Sequence, residues 1–227
     1  SVVQGKKVSK PIVRISIISI ALAVIVNLIT IAVVTGFQQE VRQKISGFGS
    51  HVFIMSASEN SVYESEAIHA DQSFLKKLAL DKNIKSVYGI GYKPVLFQSE
   101  KNEIHYKLPN GKDTSEVNQQ VNGAMIKGID TDYNLDFFKE HLVEGKLPNY
   151  ASDSSDQHIL ISRKLANDLS YKIHDSVSAF FVKNLPIKRN FIVVGIYETG
   201  LEEFDKKTVL GKLSIVQELN AWGIKAS

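Results

Sequence analysis

The stretch PIVRISIISIALAVIVNLITIAVVTGF, residues 11–37, constrains this chain more than any other. From Ile15 to Val34 it carries no charge, and the polar residues inside that run (Ser16, Ser19, Asn27 and Thr30) are small. A bilayer core of about 30 Å needs roughly 20 helical residues, which the run supplies. A helix buried in a soluble core usually keeps a polar stripe, whereas here apolar residues occupy every face. A cleaved leader has an apolar part of about 7–15 residues followed by a small-residue cleavage site, and neither description fits. Residues 1–37 therefore read as a cytoplasmic N-terminal segment and an uncleaved transmembrane helix.

Orientation follows from the flanks. Lys6, Lys7, Lys10 and Arg14 precede the run, while Glu40 partly offsets Arg42 and Lys44 after it. The excess of cations ahead of the span places Ser1 in the cytoplasm and residues 38–227 outside. The formal charge of +3 comes from those four residues: the remaining 23 Lys and Arg face 24 Asp and Glu. The outer part is close to neutral and has no basic patch suited to nucleic acid. With no cysteine there is no disulfide framework and no thiolate site. About 190 residues can bury enough apolar surface to be stable without either.

Helical periodicity continues past the span. Phe37, Val41, Ile45 and Phe48 recur at intervals of four, four and three among polar residues, and Gly47 and Gly49 supply a stop. Residues 38–49 are thus expected to form a stalk helix, followed by a strand at HVFIM, 51–55. A polar loop from Ser56 to Glu66 precedes a helix through QSFLKKLALD that Asp71 would cap. SVYGIGYKPVLFQ reads as a strand broken at Gly91 and Pro94, EIHYKL with the LPNG turn as part of a hairpin, and Gly111–Gln120 as polar loop. Strands are expected at GAMIKGID, HILIS, SVSAFFV and NFIVVGIYE. Helices are expected in NLDFFKEHLVEGKLPN, RKLANDLS and KLSIVQELNAW. Strands and helices alternate without a doubly wound run of parallel units, which makes the class α+β.

Residues with chemical potential do not assemble into a site. In DTDYNLD, a twelve-residue calcium loop starting at Asp130 would need Gly at position 6 and Glu at 12, but holds Leu135 and His141. The bland reading is a carboxylate-lined helix N-terminus. The six histidines are scattered without zinc-ligand spacing, and His141 with Glu144 on one helix face would be two ligands without a third. There is no Gly-x-Ser-x-Gly elbow and no Gly-x4-Gly-Lys-Ser/Thr phosphate loop. No catalytic, cofactor-binding or metal-binding residues are assigned, and a binding or motion-transmitting role is expected instead of an enzymatic one.

KKVSKPIVRISI, VVTGFQQEVRQKISGFGSHVFI, MIKGID, ILISRKLANDLSYKIHDSVSAFF and FIVVGIYETGLEEFDKKTVLGKLSIVQEL follow one another in an order and spacing that resemble a known family. The pattern, from about residue 6 to 222, is similar to FtsX-like and MacB-like ABC transporter permeases, above all the lipoprotein-releasing (LolC/LolE-type) forms. The resemblance implies a bacterial inner-membrane subunit with residues 38–227 in the periplasm. It implies a porter-like α+β subdomain from 50–105 and 190–227, and an inserted sabre-like subdomain from 106–189. The partners it implies are a cytoplasmic ABC ATPase that hydrolyses ATP, a second permease subunit in a homo- or heterodimer, and a lipoprotein or other amphiphilic substrate. Phe37, Val41 and Ile45 would then couple the membrane to the periplasm.

Permeases of this family carry three further membrane helices, so the chain is expected to be part of a longer protein. LolC-type subunits also bear a long hairpin that grips a lipoprotein chaperone. Here KNLPIKR stands in its place, leaving Leu185 and Pro186 as a short candidate partner loop. A MacB- or FtsX-type permease that exports another substrate or regulates a cell-wall hydrolase is the alternative, followed by an unrelated membrane-anchored binding or sensor domain.

Overall fold

The computed structural model describes residues 5–56, 67–68, 72–107, 113–151, 155–181 and 186–222. They form two compact units, 1–51 and 52–227.

The first unit is one helix, α1 (Gly5–Phe48), long and apolar enough to cross a membrane. Its span keeps its polar groups to itself. Ser16 Oγ donates to Ile12 O (3.0 Å), Ser19 Oγ to Ile15 O (2.9 Å), Asn27 Nδ2 to Ala23 O (2.8 Å) and Thr30 Oγ1 to Val26 O (2.8 Å). Each bond returns to the preceding turn, so the hydroxyls share backbone acceptors of the same helix and need no outside partner in hydrocarbon. Their apolar neighbours, such as Ile18 and Leu28, point outward and are exposed. The helix runs on without a break for about 16 Å beyond Phe37 and ends where Gly49 N donates to Ile45 O.

The second unit begins with α2 (Gln72–Ala79), β1 (Ile90–Gln98), β2 (Asn102–Lys107), β3 (Asp113–Asn118) and β4 (Val121–Ile129). It continues through α3 (Asp136–Glu140), β5 (Leu142–Gly145), β6 (His158–Ser162), α4 (Arg163–Leu169) and β7 (Ser176–Phe181). It ends with β8 (Ile187–Tyr197), α5 (Glu202–Asp205), β9 (Thr208–Lys212) and α6 (Leu213–Asn220). Seven strands make one mixed sheet in the order β5-β8-β6-β9-β4-β1-β7, and β7 also pairs with β8, so the sheet curls back on itself. The β4–β9 and β6–β8 pairs are parallel and the others antiparallel.

Both faces are buried. Ile126, Ile159, Ile161 and Val193 join Leu165, Ala166 and Leu169 of α4 and Val216 and Leu219 of α6 in the main core. Alternate residues of the same strands point the other way, where Leu160, Leu210 and Tyr197 are also buried and Tyr197 meets Phe138 of α3 edge-on at 5.3 Å. Ser162 sets the start of α4 by accepting from Leu165 N at 3.0 Å, and Ser170 ends it in the left-handed region. α6 lies so close to the sheet that Gly91 and Gly128, which face each other across β1 and β4, serve as its floor. A Cβ on Gly128 would stand 2.8 Å from Val216 Cγ2 and 3.0 Å from Leu213 Cα.

Several expectations change. HVFIM belongs to no strand, and Val52 is 76 % exposed. β1 runs through Gly91 and Pro94 without a break; Pro94 is tolerated because β7 reaches only Leu96–Gln98, leaving β1 one neighbour at the proline. Residues 113–118, read as loop, form β3 because pairing with β2 supplies the hydrogen bonds that DTSEVN does not announce. The boundaries at 105/106 and 189/190 do not follow the sheet: β4 to β7, from inside the expected insert, pair with β1, β8 and β9. Among the described residues, only the β2–β3 hairpin has a sheet of its own. Asp71 and the LPNG turn lie outside the described residues, as does most of the loop after Ser56.

Gly128→Ala should lower unfolding free energy by roughly 1–3 kcal/mol, the usual cost of overpacking, because a helix backbone must shift. Gly123→Ala, whose Cβ would meet Leu96 Cδ2 at an ordinary 3.7 Å, should cost much less. Urea midpoints of the two variants check this.

Candidate functional site

The stalk residues fall on one side of α1. Phe37 is 69 % and Ile45 49 % exposed, Val41 is half-buried, and Phe48 alone of the stripe is buried. Phe37, Val41 and Ile45, with Ser50 and His51, border an open concavity of about 580 Å³. On the polar side Lys44 reaches back to Glu40 at 3.4 Å, an exposed i,i+4 pair that adds a few tenths of a kcal/mol at most. Arg14 is exposed near the start of the span. Lys6, Lys7 and Lys10 lie in the first turns of α1, their side chains outside the described ones. Pro186 is exposed just before β8, and Leu185 lies outside the described residues.

In DTDYNLD the Asp130 carboxylate and the Asn134 amide are turn-formers. Asp130 Oδ1 accepts from Thr131 N and Asn134 Oδ1 from Asp136 N, both at 2.7 Å. Among the described residues no three His, Cys, Asp or Glu side chains come together as metal ligands would. His141 and Glu144 do not share a helix: α3 stops at Glu140, and Glu144 is in β5. His141 instead closes α3, with its backbone N–H and ring Nδ1 3.3 and 2.8 Å from Phe137 O.

Two polar arrangements were not visible in the sequence. The first is the corner between β8 and β9. The buried Asp205 carboxylate accepts from Thr199 N (3.1 Å), Thr199 Oγ1 (2.8 Å) and Gly200 N (3.1 Å), and Asp205 O accepts from Ser162 Oγ. Tyr197 Oη donates to Thr208 O at 2.8 Å, and burial pushes that phenol well above its ordinary pKa. These bonds fix the turn that carries the chain into the parallel strand β9.

The second is Lys127, fully buried in the middle of β4 on the face opposite the main core. Its Nζ donates to Tyr133 Oη at 2.7 Å and lies 4.8 Å from the centre of that ring. Tyr133 in turn packs on Tyr88, ring centres 5.2 Å apart. Burial lowers the Lys127 pKa from 10.5 to about 7 and raises that of Tyr133 to about 12. The only sequence signal for this was a lysine inside the apolar run MIKGI, six residues ahead of a tyrosine.

The profile of the MacB-like periplasmic core domain family matches residues 15–221. The lipoprotein-releasing system transmembrane protein LolC of Xylella fastidiosa is 23 % identical over 214 residues, which cover 90 % of this chain and 45 % of that protein. The chain thus spans about half the length of the curated relative it matches. The extracellular domain of the noncanonic ABC-type transporter YknZ from Gram-positive bacteria aligns with a TM-score of 0.41 at 17 % identity, covering 76 % of this chain and 75 % of that one. The periplasmic region of MacB from Actinobacillus actinomycetemcomitans aligns at 0.31 and 17 %, covering 63 % and 55 %.

Lys127 should leave a pH signature. Its folded pKa lies below its unfolded value, so between about pH 7 and 10.5 the unfolded chain holds a proton that the native state lacks. The cost of burying the charge is full below pH 7 and fades as pH rises, so this residue makes stability increase with pH across that window. Relative to wild type, Lys127→Met should be most stabilised below pH 7. The difference should shrink by at most about 1.4 kcal/mol per unit above it. Denaturation midpoints from pH 6.5 to 9.5 check the sign.

Proposed function

The chain belongs to the family of MacB-like periplasmic core domains, and on that premise we propose that it is the first membrane helix and periplasmic part of an ABC transporter permease subunit. In this reading it resides in the bacterial inner membrane with residues 38–227 in the periplasm. It works with a cytoplasmic ATPase and a second permease subunit, and converts their cycle into movement that releases a lipoprotein or another amphiphile from the membrane.

One observation carries the proposal: α1 is a single helix from Gly5 to Phe48, so its apolar span and its stalk have no joint between them. A helix has axial stiffness that a loop lacks, so displacement at the membrane is delivered at its far end. The exposed Phe37 and Ile45 support a second element of the role. An apolar stripe on a polar stalk gains by being covered, and the stalk of the second permease subunit is the partner we assign to it.

The absence of a phosphate-cradling loop from the sequence agrees with ATP hydrolysis in a separate subunit. Between β7 and β8 lie only residues 182–186, too few for a hairpin that could grip a chaperone. This favours a permease that releases its substrate without chaperone capture through this connection, and Leu185 and Pro186 are at most a minor contact. Export of another substrate, as in MacB-type permeases, is the second reading that the same short connection favours.

Val41→Gly tests the coupling. It weakens the stalk helix by about 0.5 kcal/mol of propensity and removes an apolar group from the stripe. In the full transporter it should leave expression and basal ATPase intact while substrate-stimulated turnover or release falls severalfold. Normal release by a stably expressed variant would remove the stalk from the mechanism.

A further inference from the structure

We propose that α1 pairs with the α1 of a second copy of this chain along one continuous seam, set in register by Asn27. This rests on the reading that a second stalk covers the apolar stripe, and it names the owner of that stalk. Stepping back from Ile45 by fours and threes passes Val41, Gln38 and Val34, lands on Asn27 and ends at Ile17. Every other position of the series is Ile or Val, so the seam is a repeat of heptad a and d sites. The stalk alone sets this phase. In residues 38–46 the two apolar side chains, Val41 and Ile45, both lie on it. Continued down the helix, the same phase meets the one amide between Ile15 and Val34.

The hydroxyls of Ser16, Ser19 and Thr30 lie off the seam and are satisfied by carbonyls of their own helix. Asn27 is different. Its Nδ2 gives one N–H to Ala23 O at 2.8 Å, while its second N–H and its Oδ1 have no partner among the described residues. The side chain is exposed. It stands about 10 Å of helix inside Val34, where lipid tails offer neither donor nor acceptor. A copy related by a two-fold axis brings the same amide to the same depth, and each Asn27 then donates to the other's Oδ1. A different helix would need a polar group of its own at that depth, whereas a copy has one by identity. Gln38, the other polar seam residue, repeats the arrangement at the edge of the concavity outside the span. Ile17, Val34 and Ile45 are exposed and available to be covered. Ile and Val lose little rotamer freedom when two helices close on them. A helix pair about 42 Å long covers on the order of 800 Å² per copy, the size of a standard specific interface.

The chain has no cysteine, so single reporters read the seam in native membranes. Two differently tagged copies of the full-length protein, each carrying Val41→Cys, should oxidise to a disulfide-linked pair that holds both tags. Ile45→Cys should do the same. Gln43→Cys, on the opposite side of α1, should give severalfold less. Adding Asn27→Leu should cut the Val41→Cys yield roughly fivefold, while Asn27→Gln, which keeps a self-complementary amide, should retain most of it. Equal yields at Val41→Cys and Gln43→Cys, a product that holds a different protein, no product, or indifference to Asn27→Leu would each overturn the seam. None of these results decides whether the chain is a permease, which release by the Val41→Gly variant tests separately.

Discussion

The structure depends first on the surface of α1. From Ile15 to Val34 its side chains are apolar in every direction, and the polar exceptions turn back onto the carbonyl one turn earlier. Such a helix turns its hydroxyls and the Asn27 amide N–H back onto its own backbone and leaves a mostly hydrocarbon-like surface to its surroundings. Water is a poor solvent for it and lipid a good one. Placed in a bilayer, it would hold the residues that follow it on one side.

The domain beyond the anchor solves a different problem. A sheet that curls until β7 meets β8 has little free edge, and its strands bury side chains on both faces. That demands small residues where helices come closest, which Gly91 and Gly128 supply beneath α6. It also demands polar closure where the chain reverses, which Asp205 supplies between β8 and β9. Lys127 is the departure from this economy. It is fully buried, and burial lowers its pKa to about 7.

Much of the architecture was legible because it rests on local pattern. The membrane run, the apolar run in HILIS, and the helix in RKLANDLS with Leu165, Ala166 and Leu169 on one side are each announced by local pattern. The illegible part rests on partners distant in the chain. TVLGK, for which the sequence suggested no element, is the buried strand β9, because β4 and β6 flank it. DTSEVN becomes β3 by pairing with β2, while the strand-like HVFIM joins no sheet. The expected insert was drawn as a block, yet its strands interleave with the rest, since sheet order is not sequence order. Of the candidate residues, Phe37, Val41 and Ile45 were found through periodicity. The Lys127–Tyr133 pair was missed because a lone lysine in an apolar run usually points outward.

The central claim is that α1 crosses the membrane and everything after it lies outside the cytoplasm. The chain has no cysteine, so Asn167→Cys on the exposed side of α4 provides a single reporter. An impermeant thiol reagent, applied to cells opened only at the outer membrane, should label it fully. Labelling that requires lysis of the inner membrane would contradict the account.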